Sequence, residues 1–100
     1  MPVMEISVIP IGTETTSISP YVAEAVKVLM KEKGIKYQTT AMCTVVEGDL
    51  KKLLDVALKV HEAVMKKGPK RVHTTITIDD RRDKELTMEG KIRSVEAKLK

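Results

Sequence analysis

One hundred residues supply chain for a single hydrophobic core, and no apolar run approaches the roughly 18 residues of a bilayer span. Apolar residues make up 42% of the chain, yet Tyr21 and Tyr37 are the only aromatics, so the core must be built from Val, Ile, Leu, Met and Ala. The net charge of +4 comes from lysines interleaved with acids on helix flanks, which reads as solvated helix faces and not as a nucleic-acid patch.

The amino end carries no signal-peptide pattern, so a soluble, cytoplasmic protein without a membrane partner is expected. Asn is absent, Gln38 is the only Gln, and Lys and Glu are abundant. That bias fits a thermophilic source.

The first expected element is a strand over Val3–Ile11. Met4, Ile6 and Val8 fall on one face, while Val3, Glu5, Ser7, Ile9 and Ile11 fall on the other. Apolar residues on both faces predict an interior strand covered on each side. Gly12–Ser19 is a hydroxyl-rich loop ending in Ser19-Pro20, an N-cap followed by proline at the first helical position. A helix is expected over Pro20–Lys33, burying Val22, Ala25, Val26, Leu29 and Met30, with Gly34 as its stop. Hydroxyls ahead of a helix start suit a polar ligand or oxyanion; they equally suit a capped, solvated loop.

Ile35–Thr40 and Thr44–Glu47 read as a hairpin turning through Ala41-Met42-Cys43, which contains no Gly or Asn to take a positive φ. Cys43 is the only cysteine, which excludes an internal disulfide framework and a Cys-rich metal site. It reads as a small packed residue. Gly48-Asp49 then starts a helix over Leu50–Lys67, with Leu50, Leu53, Leu54, Ala57, Val60 and Val64 on its apolar stripe and His61 beside it. His61-Glu62 has no second His four residues on, so the zinc-protease signature is missing. Gly68-Pro69 ends that helix before a strand over Arg71–Asp79, where Val72, Thr74, Ile76 and Ile78 alternate with His73, Thr75, Thr77 and Asp79. The charged loop Asp79–Lys84 offers Arg81 and Arg82 as an anion clamp or as members of a surface salt-bridge cluster. A final helix follows, capped by Thr87, with Met88, Ile92, Val95 and Leu99 on one stripe. It is expected at a sheet edge or on a neighbouring subunit.

Two strand-helix-strand units of similar length predict an α+β, ferredoxin-like β-α-β-β-α-β sandwich with an extra C-terminal helix, over residues 1–100. The strands joined by each crossover should run parallel. Two crossover helices cover one face of such a sheet, so the other face calls for a second subunit.

An ordered set of strings resembles the small thiamine-binding protein family over nearly the whole chain. These include Thr15-Thr16-Ser17-Ile18-Ser19, Gly34-Ile35-Lys36-Tyr37, Val46-Glu47-Gly48-Asp49, His61-Glu62-Ala63-Val64, Arg71-Val72-His73-Thr74-Thr75 and Ile78-Asp79-Asp80-Arg81-Arg82. The resemblance implies a ferredoxin-like fold, homodimers or homotetramers, and a pocket for thiamine or its hydroxymethylpyrimidine half. It implies no catalytic residue, cofactor or metal. Where the family tends to read Pro-Met-Gly-Thr, this chain has Ala41-Met42-Cys43-Thr44, a change in a loop near the pocket.

An aminopyrimidine needs an acceptor for its amino group, donors for its ring nitrogens, and apolar walls. Glu47 is a candidate acceptor, Thr44 and Ser17 are candidate donors, Thr16 and Ser19 extend the hydroxyl cluster, and Met42 supplies wall; Arg81 and Arg82 would suit a phosphorylated ligand. Two other readings stand beside this one. A small enzyme would use His61 or His73 as base with Glu47 or Glu62 as acid, and a purely structural oligomer would hold no ligand. Sequence-specific RNA binding is disfavoured, because the strands offer only Tyr37 for stacking.

Overall fold

The computed structural model describes residues 1–100. Its elements are β1 (Val3–Ile11), α1 (Ser19–Lys31), β2 (Lys36–Thr39), β3 (Thr44–Glu47), α2 (Leu50–Lys66), β4 (Arg71–Asp79) and α3 (Met88–Lys98). The strands form one sheet in the order β2-β3-β1-β4, with every neighbouring pair antiparallel. Since β3 and β4 both run against β1, they run parallel to each other with β1 between them. This is the split crossover of the ferredoxin-like α+β fold.

Register assigns each side chain to a face. Met4 pairs with Val46 on one side and Ile78 on the other, and Ile6 with Thr44 and Ile76. This row faces the helices, and Met4, Ile6 and Val46 are buried beneath Leu29, Leu53, Val56, Ala57 and Val60. The alternate row sets Glu5 against Val45 and Thr77, Ser7 against Thr75, and Ile9 against His73. Both α1 and α2 lie on the first face, so most of the second face is open, and Ile9 and Ile11 are 43% and 42% exposed.

Helix boundaries differ from expectation where local chemistry differs. Ile18, not Ser19, occupies the N-cap of α1, and no side chain caps it. The N–H groups of Tyr21 and Val22 both donate to the Ile18 carbonyl, at 2.9 and 3.1 Å, a tightened first turn that leaves Ser19 inside the helix. α1 ends at Lys31, ahead of the expected Lys33. Gly34 at φ +79° then redirects the chain into β2. Asp49 does sit at the N-cap of α2, but through its carbonyl, which accepts from Leu53 N–H at 2.8 Å, and not through its carboxylate. The buried stripe of α2 is Leu53, Val56, Ala57, Val60 and Val64. Leu54 is turned out and half exposed, because the register of helix on sheet brings Val56 inward instead.

The two helices are also joined by charge. Glu32, just past α1, accepts from Lys52 and Lys59 of α2, and Lys59 reaches Asp55 as well. Hydrogen bonds from these ammonium groups hold the Glu32 carboxyl below its ordinary range.

The last helix begins over the open face, with Glu89 and Lys91 ion-paired to Lys36 of β2 and Asp79 of β4, the two edge strands. Leu86 and Met88 pack on Val3 and Val45, covering one corner of the open face. Thr87 caps α3 by accepting from Gly90 N–H at 2.9 Å. Beyond Met88 the apolar stripe lies uncovered, and Val95 is 60% exposed. None of the helices is long and apolar enough to cross a membrane.

Candidate functional site

Beside the edge of β1 that runs on past β3, the chain leaves a cavity of about 240 Å³, reaching from the helical side of the sheet to Ser7 and Ile9 of the other row. Ile6 and Val8 of β1 form its floor, Val22, Ala25 and Leu29 of α1 its roof, and the β2–β3 hairpin from Thr39 to Thr44 its side wall. Ile18, at the start of α1, borders it too. α1 packs chiefly along α2, and the hairpin lines the cavity opposite Ala25. Of fifteen lining residues eleven are hydrophobic, and the remaining four are Ser7, Thr39, Thr40 and Thr44. Apolar walls with a few hydroxyls are the usual make-up of a small-molecule site.

The hairpin turn solves its lack of glycine by a side-chain staple. No non-glycine residue has a positive φ, so the usual two-residue turns are unavailable. Instead the Thr40 hydroxyl accepts from the N–H groups of Met42 (3.3 Å) and Cys43 (3.1 Å) and donates to the Cys43 carbonyl (2.8 Å). The Thr40 N–H closes the turn on the same carbonyl at 2.8 Å. This fixes the tip and leaves Met42 86% exposed. The Cys43 thiol lies 3.7 Å from a Glu5 carboxylate oxygen and 3.6 Å from the Thr40 hydroxyl. Thr44 is buried on the helical face. No fully buried polar side-chain atom lacks a partner. Thr44, whose hydroxyl bonds to no protein group, is among the cavity's lining residues.

Of the residues singled out from the sequence, Met42 and Thr44 line this cavity. Thr16, Ser17 and Ser19 do not, although Ile18 among them does. Their loop is held by its own bonds, from Ser17 N–H to the Thr15 hydroxyl and between the Ser17 and Ser19 hydroxyls. Glu47 lies on the other face. It is buried, and its Oε1 accepts from Met88 N–H at 3.1 Å, a carboxylate placed at the start of α3. Arg81 forks onto Asp83 and Arg82 onto Asp80, so each guanidinium has a carboxylate partner two residues away. Those bonds hold the Asp80 and Asp83 carboxyls below their ordinary range.

The histidines are not gathered with an acid. His61 Nδ1 shares a 2.6 Å hydrogen bond with the Thr74 hydroxyl between α2 and β4. His73 pairs with Ile9 on the open face, toward the end of the sheet away from the Val3–Glu47 pair. No cluster of three or more His, Cys, Asp or Glu is arranged to hold a metal ion.

Reading the sequence did not find the wall residues Val22, Ala25 and Leu29 as such. Their spacing marks an inward helix stripe, and no local signal separates a stripe that meets core from one that roofs a cavity. The position of Glu47 yields a separable expectation. Glu47→Ala removes the acceptor of a buried N–H and should cost about 1–3 kcal/mol. Denaturant unfolding should record that loss, hydrogen exchange should quicken across α3, and affinity at the cavity on the opposite face should stay within error. A large loss of affinity would instead put Glu47 in the ligand site.

A family model described as thiamine-binding protein matches residues 4–96. The UPF0045 protein YqgV of Bacillus subtilis is 50% identical over 102 residues, covering 99% of this chain and 98% of its own. A UPF0045 protein of Methanothermobacter thermautotrophicus is 44% identical over 96 residues, covering 95% and 96%. Among solved structures, protein MJ1052 of Methanocaldococcus jannaschii superposes with a TM-score of 0.87 at 39% identity, covering 94% of each chain. TM0486 of Thermotoga maritima, put forward as a thiamine biosynthesis/salvage protein, gives a TM-score of 0.79 at 21% identity over 94% of this chain and 97% of its own. At that identity the likeness speaks to the fold alone.

Proposed function

The chain belongs to the thiamine-binding protein family, and from that premise we propose that it binds thiamine or its hydroxymethylpyrimidine half in the cavity between α1 and the β2–β3 hairpin. The observation that carries this reading is the lining itself: apolar walls on most sides, with Thr44, whose hydroxyl has no protein partner, among them. A flat heteroaromatic ring loses little by leaving water for such walls. A hydroxyl both donates to a ring nitrogen and accepts from an exocyclic amine, so Thr44 can serve either edge atom of an aminopyrimidine.

The role is binding without chemical transformation. A base would need hydrogen-bond reach of the bound ligand, whereas neither His61 nor His73 borders the cavity. We further propose that the protein works as a homo-oligomer, a second copy covering the open sheet face that α3 shields only at one corner.

Thermal unfolding with and without ligand tests the binding reading. At a hundredfold excess over the dissociation constant, a ligand that binds only the folded state adds about 2.7 kcal/mol. For a chain of this size that corresponds to a rise of roughly 10–20 °C in Tm. If thiamine, hydroxymethylpyrimidine and their phosphates all leave Tm in place, the reading fails.

A further inference from the structure

We infer that this cavity selects by charge, accepting the uncharged heteroaromatic alcohol and rejecting its phosphate ester. The inference rests on the proposed binding role and adds the form of ligand that is bound.

None of the fifteen residues lining the cavity is charged. A phosphate monoester carries about −1.5 to −2 charge at pH 7, and burying such a group without a cation is far more costly than burying a hydroxyl. A helix N-terminus could stand in for a cation, and α1 begins at the cavity, but its first turn is poorly suited to the task. Pro20 has no N–H, those of Tyr21 and Val22 are turned back onto the Ile18 carbonyl, and Ser19 does not line the cavity.

The basic side chains lie elsewhere. Lys52 and Lys59 are held by Glu32, and Arg81 and Arg82 follow β4 at the end of the sheet where Asp79 pairs with Val3. Arg71 is at the nearer end of the sheet, but on the open face opposite Ile11. The charge in contact with Cys43 of the hairpin wall is negative: a Glu5 carboxylate oxygen lies 3.7 Å from its thiol. It would repel a phosphate and leave a neutral alcohol unaffected.

Calorimetric titration of the intact protein with hydroxymethylpyrimidine and with its phosphate monoester, at one pH and salt concentration, tests this. The ester should bind at least tenfold more weakly. Ile18→Lys places a cation at the cavity border on a residue already partly exposed, and it should narrow that ratio by strengthening ester binding. Equal affinities in the wild type, or a ratio that Ile18→Lys leaves unmoved, would overturn charge selection while the binding role stands. Failure of both compounds to bind would overturn the two together.

Discussion

Phenylalanine in place of Ala25 should abolish ligand-induced stabilisation and leave the protein folded. The Ala25 side chain looks into the cavity from the middle of α1, between the turns that carry Val22 and Leu29. The cavity holds about 240 Å³, and roughly 150 Å³ of apolar space is enough to take benzene, so a phenyl ring fits without displacing its neighbours. The exchange costs on the order of 0.5 kcal/mol in helix propensity. Contact with Ile6, Val8 and Val60 offsets that cost by removing apolar surface from water. The unliganded variant should therefore unfold within a few degrees of the wild type, while the ~2.7 kcal/mol expected at a hundredfold ligand excess vanishes. Parallel melts with and without hydroxymethylpyrimidine measure both quantities. A variant still stabilised like the wild type would place the ligand outside this cavity.

What the sequence reveals of this fold is whatever a short period can encode. Alternation in Val3–Ile11 and Arg71–Asp79 assigns the two sheet faces, and the glycines at 34, 48 and 68 punctuate the helices they flank. Leu54 is the instructive exception. It sits on an apolar stripe of the right spacing, yet Val56 is buried in its stead, because rotation of a helix about its axis is set by what it packs on. The site is less legible for the same reason. Ala25 is an inward alanine by pattern, and only the position of the hairpin, held by Thr40, makes it the roof of a cavity. Glu47 looks like a ligand acceptor because it ends a strand before a helix. Its partner is Met88 N–H, 41 residues further on, a contact between segments that no local period connects. Thr44, offered by the sequence only as a candidate hydroxyl donor, lines the cavity, but its face is fixed by pairing with Ile6, which its own four-residue strand does not reveal.

Lysine at position 9 should convert the protein to monomers. β1 and β4 each have nine residues, so they run about 30 Å at ~3.3 Å per residue, and three inter-strand spacings of ~4.8 Å give a width near 15 Å. The resulting ~450 Å² falls short of the ~800 Å² per partner of a standard interface. The sheet face alone would therefore make a weak dimer. In the proposed oligomer α3 would supply the missing area, since Ile92, Val95 and Leu99 continue from the corner that Met88 covers and lie exposed. A copy seated on Ile9, Ile11 and this stripe would remove both uncovered apolar surfaces at once. Ile9→Lys would then bury an ammonium group without a partner, a penalty of several kcal/mol and hence at least a hundredfold in the association constant. Val95→Lys should act the same way from the other half of the contact, whereas Leu54→Lys, on the far side of the helical layer, should do nothing. Sedimentation equilibrium over a dilution series distinguishes these outcomes: a wild type of twice or four times 11.1 kDa, two variants at the single-chain mass, and a control like the wild type. A wild type that sediments as one chain at every concentration would mean that this sheet tolerates water on Ile9 and Ile11, and the need for a second copy would disappear with it.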